Sequence, residues 1–145
     1  MKASTGLRNY MLDTGSCKAG LALAVLRIYT GAEPATADAA VTGTLLAEFT
    51  VSGGGTGLSL GPSASGGVLS KAAETWQDSS CNNSGTAGYA RLVVLASDTG
   101  ALSTSERRLQ LSVGLAGADL NLETLTFTAA ASRTIDYFSV ALPTL

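Results

Sequence analysis

A chain of 145 residues, 46% hydrophobic and only 14% charged, is long enough to bury the core of one domain. It is also too apolar and too poor in charge to remain disordered. The formal charge of −2, with Arg107-Arg108 as the one adjacent basic pair, excludes the basic stripe that nucleic-acid backbones require. The absence of histidine removes the commonest general base, any Cys-His nucleophile and the usual nitrogen ligand of zinc.

The N-terminal stretch lacks a targeting pattern, because Arg8, Asp13 and Lys18 interrupt every apolar run before Gly20. The run Ala19–Leu26 is too short to span a bilayer, so a protein made and used in the cytoplasm is expected. Residues 4–24 are the helical candidates. Ser4 or Thr5 caps a short helix with Leu7, Tyr10 and Met11 on one face, and Gly15 ends it in a left-handed conformation. Ser16 caps a second turn or two through Leu23. The Leu7/Tyr10/Met11 face has two readings: packing on the chain's own sheet, or an arm that docks on a neighbouring subunit.

Val25–Gly31 and Thr44–Val51 both alternate apolar and polar residues as half-buried strands do. Gly31 and Pro34 break the strand between them, leaving a long surface connection. The glycine loop 52–57 lacks the Lys-Ser/Thr of a phosphate loop and reads as a strand connection. Val68-Leu69 and Trp76 imply one or two edge strands, with Trp76 as a core plug or, alternatively, a sugar-stacking platform. Residues 79–85 form a polar turn. Cys17 and Cys81 show no CxxC spacing and read as buried free thiols, with a disulfide as the alternative.

Tyr89–Ala96 turns apolar on both faces and marks a central strand covered on two sides. In the next strand Leu109, Leu111, Val113 and Leu115 point one way and Arg108, Gln110, Ser112 and Gly114 the other, a half-buried pattern. Arg107 and Arg108 read as solvent-facing or interface charges at its start. Leu120-Asn121-Leu122 and Leu125-Thr126-Phe127 alternate out of phase across Glu123-Thr124, which predicts a bulge or bend where the strand changes sheets. Thr134–Leu142 is the closing strand, stopped by Pro143. Seven or eight short strands between Gly/Ser/Thr/Asp turns predict an all-β fold, a jelly-roll-like β-sandwich with a short helical N-terminal segment, as one domain over 1–145.

No set of residues in the chain converges on catalysis, a cofactor or a metal by spacing. The acids lie mainly beside turns, and Asp98, Asp119 and Asp136 read as Asx-turn formers because no DxDxDG loop exists. A carboxylate pair of the glycosidase kind would have to meet in space, and spacing names no such pair.

Several stretches carry a family likeness: residues 1–16, Leu26–Gly31 with Pro34–Asp38, Thr42–Leu46, Gly66–Lys71 with Glu74-Thr75-Trp76, and Thr134–Phe138. Together they resemble small structural proteins of tailed-bacteriophage particles, in particular capsid cement (decoration) proteins of jelly-roll fold. The resemblance implies a non-enzymatic protein without cofactors on the outside of an HK97-like head, assembled in the host cytoplasm. It implies a homodimer that ties major capsid proteins together and contacts neither nucleic acid nor membrane. The candidate partner-binding residues are Leu7, Tyr10, Met11, Arg107 and Arg108. The rival expectation is a tail, fibre or baseplate module that binds a host glycan or another tail protein.

Overall fold

The computed structural model describes residues 1–94 and 96–141. Leu95, expected within a central strand, and Leu142 and Pro143, expected to end the last one, lie outside the described residues. The chain is all-β apart from two short helices near its start. Ser4 is the cap of α1 (Thr5–Asp13), its hydroxyl oxygen accepting the Leu7 N–H at 3.1 Å. Ser16 caps α2 (Cys17–Gly20) in the same way, accepting from the Ala19 N–H. This helix stops at Gly20, short of Leu23, which itself turns the chain at φ 58°. Gly15 does not take the left-handed conformation expected of it; a Cβ there would lie 3.2 Å from the Tyr10 ring, so its smallness serves packing.

The strands are β1 (Lys2–Ala3), β2 (Val25–Tyr29), β3 (Leu45–Val51), β4 (Val68–Ser70), β5 (Trp76–Asp78) and β6 (Gly85–Thr86). They continue with β7 (Tyr89–Val93), β8 (Arg108–Gly114), β9 (Leu120–Asn121), β10 (Thr126–Phe127), β11 (Arg133–Ile135) and β12 (Ser139–Ala141). The main sheet runs β1-β8-β7-β2-β3-β5-β11, with β9 joined in parallel to the end of β8. β3 carries the chain from one layer to the next: its first part pairs with β2 and its last two residues with β5. Two small ladders, β6 with β10 and β4 with β12, complete the fold. Apolar residues of β2, β7 and β8 (Leu26, Ile28, Ala90, Leu92, Leu109 and Leu111) share one core with Leu58, Leu69, Trp76, Phe138 and Val140. Trp76 is fully buried, tilted against Phe138 at 5.4 Å between rings, and its indole N–H donates to Glu74 Oε1 at 3.0 Å. It is the core plug, and β5 is an interior strand between β3 and β11 instead of an edge.

Two expected strands are each divided. The phase change at Glu123-Thr124 does separate two sheets, as expected of a bulge or bend there, with β9 on β8, β10 on β6 and pairing broken between them. The closing strand is also two: β11 pairs with β5 and β12 with β4, and Asp136–Phe138 cross between them. Ile135 and Phe138 both reach the one shared core, whereas residues three apart on a single alternating strand point to opposite faces. Cys17 is half-buried and Cys81 buried, and both are free thiols pushed up in pKa by burial.

Candidate partner-binding surface and the polar layer beneath it

The half-buried pattern expected for β8 is overturned over its first four residues: Arg108 and Gln110 are as inaccessible as Leu109 and Leu111. Alternation separates the two faces of a strand but does not say what covers each. Here the second face of the sheet is covered by the connections 32–41 and 96–106, and it is polar. Strand register sets Glu48 beside Arg27, Arg27 beside Arg91, Arg91 beside Gln110 and Gln110 beside Lys2, one row across β3, β2, β7, β8 and β1.

Each member of that row is tied to a neighbour or to the cover. Arg27 Nε donates to Glu48 Oε2 at 2.6 Å, Nη2 to the Ala96 carbonyl at 2.6 Å, and Nη1 to the Asp98 carbonyl. Arg91 Nε donates to Gln110 Oε1 at 2.9 Å, and Gln110 Nε2 donates to the Pro34 carbonyl at 2.6 Å and Glu33 Oε1 at 3.0 Å. Lys2 pairs with Glu33 at 2.9 Å. Tyr29 and Tyr89 stack at 5.2 Å in the next row, and the Tyr89 hydroxyl accepts the Thr42 N–H.

Arg108 anchors the other end of the layer. Its Nε and Nη2 grip both oxygens of Asp98 at 2.6 Å each, a two-pronged pair with partners 1% and 3% exposed. Burial alone would raise the Asp98 carboxyl, but the Arg108 hydrogen bonds, the Gly100 N–H and the positive charge of Arg108 outweigh it and hold it below the ordinary carboxylate range. Asp98 also accepts from Gly100 N–H at 2.8 Å, so the Asx-turn expectation holds for it alongside the ion pair. Arg91 has no carboxylate partner among the described residues, and burial pushes its guanidinium pKa down. The connection 32–41 is therefore more than a surface loop: Pro34 and Ala37 are buried, and Asp38 accepts from the N–H and hydroxyl of Thr5 at 2.8 and 2.7 Å.

The N-terminal segment is held to its own fold. β1 pairs with β8, so residues 2–3 add a strand to the chain's own sheet and not to a neighbour's. The Ser4 hydroxyl accepts from Leu7 N–H and Arg108 N–H and donates to the Glu106 carbonyl, using its full capacity. Gly6 lies against the Ser105 carbonyl, where a Cβ would stand only 2.2 Å from the oxygen. Of the five candidate contact residues, Leu7 and Arg108 are buried within the chain and offer no surface as placed. Tyr10, Met11 and Arg107 are half-buried, with the Arg107 guanidinium 4.6 Å above the centre of the Tyr10 ring. What α1 presents outward is the stripe Arg8, Asn9, Leu12 and Asp13.

Sequence reasoning missed Arg27, Arg91, Asp98 and Glu48 as a connected set. The available signal was three arginines placed inside strands of otherwise apolar character. Among the described residues no group of three or more Cys, Asp and Glu is placed to hold a metal ion, and no helix is long and apolar enough to cross a membrane. Comparison with family models, curated proteins and solved structures finds no match to this chain.

Proposed function

We propose that the chain is a structural protein of a tailed-phage particle, a decoration protein that binds the outside of an HK97-like head and bridges neighbouring major capsid proteins. The observation that carries this reading is the surface left after folding. Leu12, Leu23, Leu102 and Leu115 remain between 63% and 83% exposed, while Arg27, Arg108 and Asp98 are turned inward. Fully burying each leucine at a contact would contribute about 1.5–3 kcal/mol. The contacts are also spread out. Leu12 belongs to α1 at the Arg107 end of β8, and Leu115 follows its far end, on the order of 20 Å away at about 3.4 Å per residue. Separated apolar points suit a protein that touches more than one neighbour.

The mechanism in this reading is thermodynamic and makes no bond. A protein that binds only the expanded shell stabilises it by mass action, and many bridging copies gain from effective concentration. A homodimer would double the contact points. The contacts come from the outer stripe of α1 and the exposed leucines instead of an added N-terminal strand.

Electron cryomicroscopy of particles with and without the protein tests the proposal. Density repeated over the whole shell, lost when the protein is omitted, is expected, together with DNA release at lower temperature. Heads that lack the protein entirely, or density confined to the tail, would overturn it.

A further inference from the structure

Where the phase break at Glu123-Thr124 faces the crossing at Asp136–Phe138, the two stretches leave a groove of about 330 Å³ between them. That volume lies at the lower end of the range for small-ligand sites, about 300–1,000 Å³. The buried Phe49, Phe127 and Ile135 close its floor, and what it offers a ligand is its polar walls together with the apolar surface of half-buried Leu122 and exposed Tyr137. On one wall stand Asn121 and Glu123, and on the other Thr134, Asp136 and Tyr137.

The chemistry of these walls is specific. Glu123 and Asp136 are exposed and have neither an ion-pair nor a side-chain hydrogen-bond partner among the described residues. The Asn121 carbonyl oxygen is taken by the Ala118 N–H, which leaves its NH₂ as a donor. Arg133, also at the groove, is pinned by the Thr126 carbonyl at 2.8 Å and lies over the Phe127 ring. Tyr137 is 70% exposed, a large aromatic surface that folding has left in water at the rim.

We infer that this groove binds a neutral glycan, one or two sugar rings in size. Paired acceptors on the carboxylates and a donor on Asn121 match the vicinal hydroxyls of a sugar, and the Tyr137 ring offers an apolar face for its C–H surface. With two carboxylates against one arginine the groove is net negative, which disfavours phosphate, sulfate and acidic sugars. An apolar peptide strand would find its natural anchors, Phe49, Phe127 and Ile135, already buried.

The inference stands apart from the capsid proposal, since a head or a tail component could carry the groove. The test is amide-resolved NMR of the full chain titrated at millimolar concentration with maltose, cellobiose, lactose and N,N′-diacetylchitobiose in turn. At least one sugar is expected to shift the amides of 121–124 and 132–137 selectively. Tyr137→Ala and Glu123→Gln, both at exposed positions, are expected to keep the dispersed spectrum and weaken binding at least tenfold. Should Tyr137→Ala lose its fold, Glu123→Gln and the wild-type titration decide. The inference is overturned if none of the four sugars moves these amides, if the variants bind as the wild type does, or if sulfate or an extended apolar peptide moves them and the sugars do not.

Discussion

Replacing Asp98 by alanine removes one half of the most deeply buried ion pair in the described fold. The carboxylate accepts two hydrogen bonds from Arg108 at 2.6 Å and one from the Gly100 N–H at 2.8 Å, so the substitution leaves a buried guanidinium without its counter-charge. Breaking a buried pair from one side costs about 3–5 kcal/mol. That is a large share of the 5–15 kcal/mol or so that holds a typical domain folded. With a urea dependence of about 2 kcal/mol per molar, the unfolding midpoint is expected to fall by roughly 1.5–2.5 M. Asp136→Ala, at an exposed position, serves as the comparison and is expected to change stability by no more than about 0.5 kcal/mol. Combining Asp98→Asn with Arg108→Met removes the stranded charge, so the double variant should cost less than the two single changes summed, by about 0.5–3 kcal/mol. An Asp98→Ala midpoint within error of Asp136→Ala, or strict additivity in the double variant, would refute the claim that this pair closes the polar layer.

The same carboxylate sets a pH dependence. Its folded pKa is depressed, so its contribution is complete above the unfolded value of about 3.9 and is lost as pH falls through the lower folded value. Glu33 is depressed as well: burial opposes the shift, and hydrogen bonds from Lys2 and Gln110 outweigh it, which adds to the same acid limb. Urea midpoints measured from neutral pH to about pH 2 should hold down to about pH 4 and fall steeply below it, and Asp98→Asn should flatten that fall. Ser4→Ala removes the α1 cap and the partners of the Arg108 N–H and Glu106 carbonyl at once. A loss of about 2 kcal/mol, read as a fall in Tm of roughly 4–8 °C by calorimetry, is expected. Trp76→Ala empties a fully buried site and should cost about 3–5 kcal/mol by urea titration followed by circular dichroism, with Trp76→Phe milder.

Some of this architecture was legible in the residues alone, for reasons that are local. Period-two runs such as Val25–Tyr29, Leu45–Val51 and Arg108–Gly114 admit little but a strand, and Ser4 and Ser16 ahead of short apolar turns announce helix caps. The full burial of Tyr89–Val93 followed from its apolar end. The lone tryptophan, carrying the largest apolar surface in the chain, belonged in the core, where it lies. The division of 120–127 between two sheets showed as a change of phase.

Tertiary structure decided the rest. Alternation names two faces of β8 but not which of them meets water, and only the return of 32–41 and 96–106 over the sheet makes Arg108 and Gln110 interior residues. A charge is buried only when its partner arrives, and the partner of Arg27 comes from 21 positions away while the Arg27 contacts in the cover come from about 70. The groove beside Tyr137 has the same origin: two breaks in pairing, near 123 and near 137, meet only once both strands have chosen their sheets. Sequence periodicity encodes what each strand would bury, whereas the fold alone determines what lies on top of it.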